Sequence, residues 1–329
     1  MTLARLTGAL FVSLAALLFA PGIARAEDAA KLPHIGLLGV GQPGPGALGP
    51  VLFEAFAHHG YVADKTVVFV PRGAQGQIDR LPALVDELVA SHVDVIVSSS
   101  YPAALAAKEH GGTTPIVMSG AGDPVATHLV ASFARPGGNI TGMSEDATEL
   151  SQKRLQLLKE AVPSAHTVAV LYNADDLGMM LRYRALEQVA PKLGVTIVPL
   201  GVLAPNDFDA AFAALSKTPP DAIIMVTDIL TVLNRQRVIA FAAEHKIPSA
   251  FEYDSLAHDG GLMAYGPDFG DVADRVAALT ERILKGAKPA ELPLELPTRF
   301  QFAINLKTAK AIGLTIPPAI LARADDVIE

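Results

Sequence analysis

Two stretches of this 329-residue chain are suited to hold a small charged molecule: Ser98-Ser99-Ser100-Tyr101-Pro102 and Thr227-Asp228. Pro102 fits the first turn of a helix, and the serines before it are natural caps. Free backbone N–H groups at such a helix start favour an anion, for example a carboxylate. Ser119-Gly120 offers a second donor-rich tip. Asp228 carries the opposite sign, suited to an ammonium group once water is excluded. Each has a plainer reading: the serines and Asp228 cap only their own helices. Asp123 before Pro124 reads as a helix start and also as a ligand contact. Glu252 is a further acid, equally at home as a solvated rim charge. Tyr101, Tyr172, Phe251, Tyr253 and Tyr265 either wall an apolar part of a cleft or pack in a core.

Hydrolytic machinery does not emerge. The chain has no G-x-S-x-G, no H-E-x-x-H and no cysteine nucleophile. His58 and His59 are adjacent, so they point about 100° apart on a helix and only one shares a face with Glu54. Asp175-Asp176 lacks neighbours to complete a metal cage. No cofactor or metal is therefore expected, and an exported enzyme built around Asp123, Asp228 and Glu252 is the weakest of the readings. Gly39-Val40-Gly41-Gln42-Pro43-Gly44 is a literal G-x-G-x-x-G after the first apolar run. Its prolines and the absence of an acid ending the next strand argue against a dinucleotide. The loop, Gln42 included, instead shapes one rim of a cleft.

These residues sit at the ends of short apolar runs: Ile35–Leu38, Val67–Val70, Val93–Val97, Ile116–Met118, Val168–Leu171, Val195–Val198, Ala222–Val226 and Leu262–Ala264. Helical stretches such as Leu81–Ser91, Leu150–Ala161 and Val238–Glu244 alternate with them. Strands apolar on both faces and separated by helices imply parallel sheets covered on both sides. The fold class expected is α/β, with two doubly wound parallel-sheet lobes joined by crossover hinge strands. Ligands of such sheets bind beyond the carboxyl ends of the strands. That rule selects Gln42, Ser98, Ser99, Ser100, Tyr101, Ser119, Gly120 and Asp123 from one lobe. From the other it selects Tyr172, Asn173, Thr227, Asp228, Phe251 and Glu252, with Tyr265 near the hinge.

An internal echo supports two similar lobes. Both "VDVIVSSSYPAALAAKEHGGTTPIVM" from Val93 and "PDAIIMVTDILTVLNRQRVIAFAAEHKIPSAF" from Pro220 run Asp, apolar strand, polar tip, helix, Pro, strand. Asp94 matches Asp221, Pro115 matches Pro248, and the Ser98 tip is set opposite the Thr227 tip. Each unit is followed by a double glycine, a short strand and another glycine. Gly137, Gly138 and Gly142, with Gly261 and Gly266, are thus the expected hinges, because glycine absorbs dihedral change. The expected lobes are 27–141 plus 266–295 and 142–265 plus 296–329, with a third crossing near Leu296.

The first 26 residues hold Arg5, a short apolar run over Gly8–Ala20 and the small-x-small site Ala24-Arg25-Ala26, the pattern of a cleavable signal peptide. No cysteine is present, which excludes both disulfides and lipid attachment through an N-terminal cysteine. The net charge is −8, and −10 once Arg5 and Arg25 leave with the signal. Such a surface disfavours nucleic acid and anionic membranes. The expectation is a periplasmic protein without a direct membrane anchor.

The stretches "DPVATHLVASFARPGGNITG" (123–142), "GGLMAYGPDF" (260–269), "RILKGAKPAELPLELPTRFQFAINLKTAKAIGLTIP" (282–317) and "ARADDVIE" (322–329) together resemble the ABC-transporter substrate-binding proteins of the tryptophan/tyrosine-type group. The resemblance implies a type I periplasmic-binding fold, a small ligand in the cleft and delivery to an inner-membrane ABC permease. It also implies that Asp228, at the matching Thr-Asp, binds the α-amino group of an amino-acid ligand. Ligand identity varies within the group, so a small carboxylate-bearing molecule, an amino acid or an aromatic or organic acid, is the expectation. A sensor domain presenting its ligand to a membrane receptor is the alternative.

Overall fold

Apolar runs alternating with amphipathic helices produce two sheets in a computed structural model that describes residues 32–45, 48–144 and 147–329. The first sheet contains β1 (His34–Gly39), β2 (Val68–Gly73), β3 (Val95–Ser98), β4 (Ile116–Ser119) and β5 (Ile140–Met143). Its spatial order is β2-β1-β3-β4-β5, all parallel. The second contains β6 (Thr167–Asn173), β7 (Thr196–Val202), β8 (Ala222–Met225), β9 (Ser249–Phe251), β10 (Met263–Pro267), β11 (Phe300–Asn305) and β12 (Asp326–Ile328). Its order is β12-β11-β10-β9-β8-β6-β7, and only the β10–β11 pair runs antiparallel.

The five strands β6 to β10 repeat the winding of β1 to β5, so the sequence echo reflects a repeated architecture. The anchoring aspartates repeat as well. Asp94 accepts the backbone N–H of His34 at 2.7 Å, and Asp221 accepts those of His166 and Thr167 at 2.8 Å each. Inner strands such as β3 and β8 are buried along their whole length, as strands covered on both faces must be. The outer strands β2 and β7 are partly exposed, and each carries a proline, Pro71 and Pro199, which an edge tolerates. Apolar side chains on the two faces of each sheet form four cores, two per lobe.

The chain passes between the lobes three times. It leaves β5 and enters the helix Ala147–Ala161, whose Leu155, Leu157 and Leu158 pack in the second lobe. It leaves β10 for the helix Phe269–Leu284, whose Val272, Ala273, Val276 and Ala277 pack against Ile35 and Val97 of the first. It returns after Glu295, which pairs with Met143, to form β11. Asp271 ties the last two crossings together: its carboxylate accepts the Thr298 N–H at 2.9 Å and lies 3.3 Å from Arg275, which also grips Glu295 at 2.9 Å.

The glycines expected at the hinges each meet a local backbone or packing need. Gly137 and Gly138 have φ of +73° and +62° in a turn leading into β5, ahead of the crossing. Gly142 lies inside β5, where a Cβ would sit 2.2 Å from the Met118 carbonyl oxygen of β4. Gly266 lies inside β10, where a Cβ would meet the Glu252 carbonyl at 2.1 Å, and one at Gly261 would strike the Phe251 ring. Close backbone approach explains Gly266 and, together with φ +138°, Gly142; the Phe251 ring crowds Gly261; positive φ explains Gly137 and Gly138. Residues 1–26, read as a signal peptide, lie outside the described residues.

Candidate functional site

In a sheet wound 2-1-3-4-5, the connections leave in opposite directions on either side of the first strand, opening a crevice at the strand tips. The first lobe has this switch point between β1 and β3, the second between β6 and β8. The two crevices face each other. A Cβ placed on Gly41, just after β1, would lie 2.9 Å from Ile229 Cδ1, just after β8. One placed on Gly122 would lie 3.5 Å from the Cα of Gly178. The lobes meet at these points.

On the first lobe the tips carry neutral donors. Ser98 ends β3 fully buried, and its hydroxyl has no hydrogen-bond partner among the described residues. Ser99 Oγ donates to Leu38 O at 3.4 Å, spanning the switch point. Ser100 caps the helix Tyr101–His110 through Ala103 N. Ser119 Oγ donates to Ser98 O at 3.3 Å. Gly120 adopts φ +82° and bonds to Met143 O through its own N–H. The Tyr101 phenol is pushed above its ordinary value by burial, then by the charges of Asp176 in the opposite lobe and Glu109. Gln42 is exposed on the rim. Asp123 accepts Val125 and Ala126 N–H groups in a turn, so it caps a turn where a helix was expected.

The second lobe supplies acid. Asp228 caps the short helix Ile229–Leu233 with a reciprocal Thr231 bond, and its Oδ2 accepts from Asn173 Nδ2 at 2.6 Å. Thr227 is buried and its hydroxyl, like that of Ser98, is unpartnered among the described residues. Asp176 caps the helix Leu177–Val189 through Gly178 and Met179 N–H groups. Burial, then the charge of Asp228, pushes the Asp176 pKa up; the backbone bonds and Arg182 oppose this. Two carboxylates close enough to repel thus line one side of the contact.

Four residues expected at the ligand do other work. Phe251 is fully buried in a core of the second lobe. Tyr172 stacks on Tyr183 with centroids 4.2 Å apart. Tyr265 packs beside Phe300 and Phe302, both 6.1 Å away. Glu252 is not a solvated rim charge: it is 1% exposed and pairs with Arg182 at 2.9 Å, with Arg154 at 3.8 Å. Arg154 in turn donates to Tyr265 O at 2.9 Å, bracing the crossover strand β10. Nothing local in the sequence marks Arg154 and Arg182 as buried. Asp176 was legible as an acid before a helix at a strand tip, yet only the neighbouring Asp228 makes it part of the site.

Among the described residues, no cluster of His, Cys, Asp and Glu can hold a metal, and no helix is long and apolar enough to cross a membrane. His59 lies far from the tips, bonded to Glu281 at 2.9 Å and Asp274 at 3.1 Å.

The chain is similar to known proteins along most of its length. A tyrosine-binding protein of Clostridioides difficile is 26% identical over 261 residues, covering 79% of this chain and 75% of that protein. The crystal structure of an ABC domain from Streptococcus pneumoniae in complex with L-Trp superposes with a TM-score of 0.82 at 25% identity, covering 90% of this chain and all of that one. A ligand-free, open substrate-binding protein from Clostridium difficile superposes with a TM-score of 0.64 at 24% identity, covering 91% and 99%. The family model for ABC transporter substrate binding proteins matches residues 49–328. With two lobes facing at their switch points and this match spanning nearly all of both, the chain belongs to the ABC transporter substrate-binding protein family.

Proposed function

We propose that this chain is the periplasmic solute-capturing component of an ABC importer, exported by its N-terminal segment, and that its ligand is an α-amino acid held as a zwitterion. The observation that carries the reading is the division of charge across the gap. On one side the Ser98 hydroxyl, unpartnered among the described residues, is a neutral donor suited to a carboxylate, with Ser99 and Ser119 beside it holding their hydroxyls on carbonyls of their own lobe. The carboxylates of Asp176 and Asp228 suit an ammonium on the other. The tyrosine-binding relative and the L-Trp complex support an aromatic side chain. The higher TM-score to the complex than to the open, ligand-free protein supports a closed arrangement of the lobes. Closure joins the two sets of contacts, and the closed form docks the permease.

Calorimetry tests the reading with four compounds. L-tyrosine and L-tryptophan bind. 3-(4-Hydroxyphenyl)propionate, which lacks the ammonium, and tyramine, which lacks the carboxylate, each lose roughly tenfold or more, the scale of one charged hydrogen bond. Equal binding of an amino acid and its analogue without the ammonium would overturn it.

A further inference from the structure

Ile229 belongs by sequence to the second lobe, as the first residue of the helix that Asp228 caps. Its side chain nevertheless packs against a core cluster of the first lobe, the one containing Leu38, Val40 and Ala74. Gly41 lies beneath it, where a Cβ would come within 2.9 Å of Ile229 Cδ1. The backbone of Gly41 is not in the left-handed region, so conformation does not demand glycine there. A side chain there would instead push the end of Ile229 aside. The loop that bears Gly41 is pinned by its carbonyl, which accepts the Gln75 N–H at 2.8 Å.

The geometry points to Ile229 as a closure peg and Gly41 as its seat. This rests on the two-lobe capture reading but does not depend on which ligand is captured. The contact exists only when the lobes meet, and it removes apolar surface from water at that moment. It therefore biases the open–closed equilibrium toward the closed state whatever lies in the cleft. The peg follows Asp228 directly in the chain. A ligand ammonium that draws Asp228 toward the first lobe also drives Ile229 onto Gly41. The depth of that seat sets how near the lobes can come, and so the size of ligand that both can touch. Ile229 is a positioning residue in this scheme.

The absence of cysteine makes the test direct. A Cβ on Gly178 would lie 3.8 Å from the Cβ of Tyr101, across the gap between the lobes, so the pair Tyr101→Cys and Gly178→Cys is within disulfide reach when the lobes close. Under limiting oxidant, the rate of intramolecular bond formation follows the closed population, with no ligand required. Ile229→Ala in this background slows the bond about five- to tenfold, Ile229→Val less, on the scale of the apolar surface each removes. Gly41→Leu, which fills the seat, slows it similarly. Circular dichroism checks that each variant is folded; the mild Ile229→Val keeps the series informative if a larger change is not tolerated. Equal rates across the folded variants overturn the peg. Failure of the parent pair to cross-link overturns the contact, and the peg with it. L-tyrosine or L-tryptophan accelerates the parent reaction if the ligand reading holds. Graded slowing by the variants without that acceleration sinks the amino-acid reading and leaves the peg standing.

Discussion

Asn173 donates its side-chain amide to Asp228 Oδ2 at 2.6 Å, joining the tips of β6 and β8 across the switch point of the second lobe. The other Asp228 oxygen accepts the Thr231 N–H at 2.9 Å. Neither of these partners is a cation. Asp228→Asn preserves the cap, because asparagine caps helices about as well as aspartate. The expected result is a small fall in melting temperature, because the Asn173 amide loses its acceptor, and a loss of about 1.5–3 kcal/mol in the affinity for L-tyrosine or L-tryptophan, measured by calorimetry.

The buried charges of the second lobe should behave in the opposite way, through stability. Glu252 faces Arg182 at 2.9 Å and Arg154 at 3.8 Å, and all three side chains are at most 3% exposed. Glu252→Gln keeps the shape and removes the counter-charge. Breaking a buried pair by removing one partner costs about 3–5 kcal/mol. Urea denaturation reads this as a lower midpoint with an unchanged slope.

His59 ties the helix Pro50–His58 to Phe269–Leu284, the helix that follows the second crossing. The Glu281 bond, aided by Asp274, holds its pKa above the ordinary 6.5 against the opposing effect of burial. A raised folded-state value means that the stabilisation is complete below 6.5 and disappears as pH climbs through the folded value. The His59 contribution to the melting temperature should be lost as pH rises from 6.5 through the raised folded value. In His59→Gln the fall in melting temperature over that window should be smaller. An identical slope in both proteins would remove His59 from the account.

Two glycines of the stretch Arg135–Gly142 set backbone conformation alone against conformation and crowding together. Gly138 has φ +62° with open space around its Cβ direction, so Gly138→Ala costs about 1–2 kcal/mol through conformation alone. Gly142 combines φ +138° with a methyl that would be driven to 2.2 Å from Met118 O, so Gly142→Ala costs about 3 kcal/mol or more. Chemical denaturation of the two variants side by side gives the ranking. Gly138 as the more damaging position would overturn this ranking.

The alternation of apolar runs and helices was legible because a strand covered on both faces has no room for polar residues. Expected strands such as Ile35–Leu38 and Ile116–Met118 fall within β1 and β4. The tips were legible too, since a strand that ends at a crevice trades its apolar run for Ser, Thr, Asn or Asp. Even the pairing of Asp94 with Asp221 shows in the echo, because each performs the same anchoring at the same place in its lobe. The aromatic calls were the weakest. Tyr172 and Phe251 sit on strands with side chains on alternate faces, and a sequence does not say which face meets a neighbouring helix and which meets a ligand.

What the sequence by itself determined, then, is the repeated strand–tip–helix order and the residue types at each tip, because strand burial and helix capping act over a few neighbouring residues. Tertiary structure decided which charges are spent and which are left over. Glu252 was claimed by Arg182 and Arg154, which the chain delivers on two different helices, whereas Asp228 met the uncharged Asn173 amide and Thr231 N–H. It also decided that Ile229 would lodge in the other lobe. Such pairings depend on how distant segments approach in space, and a local pattern carries no record of that distance.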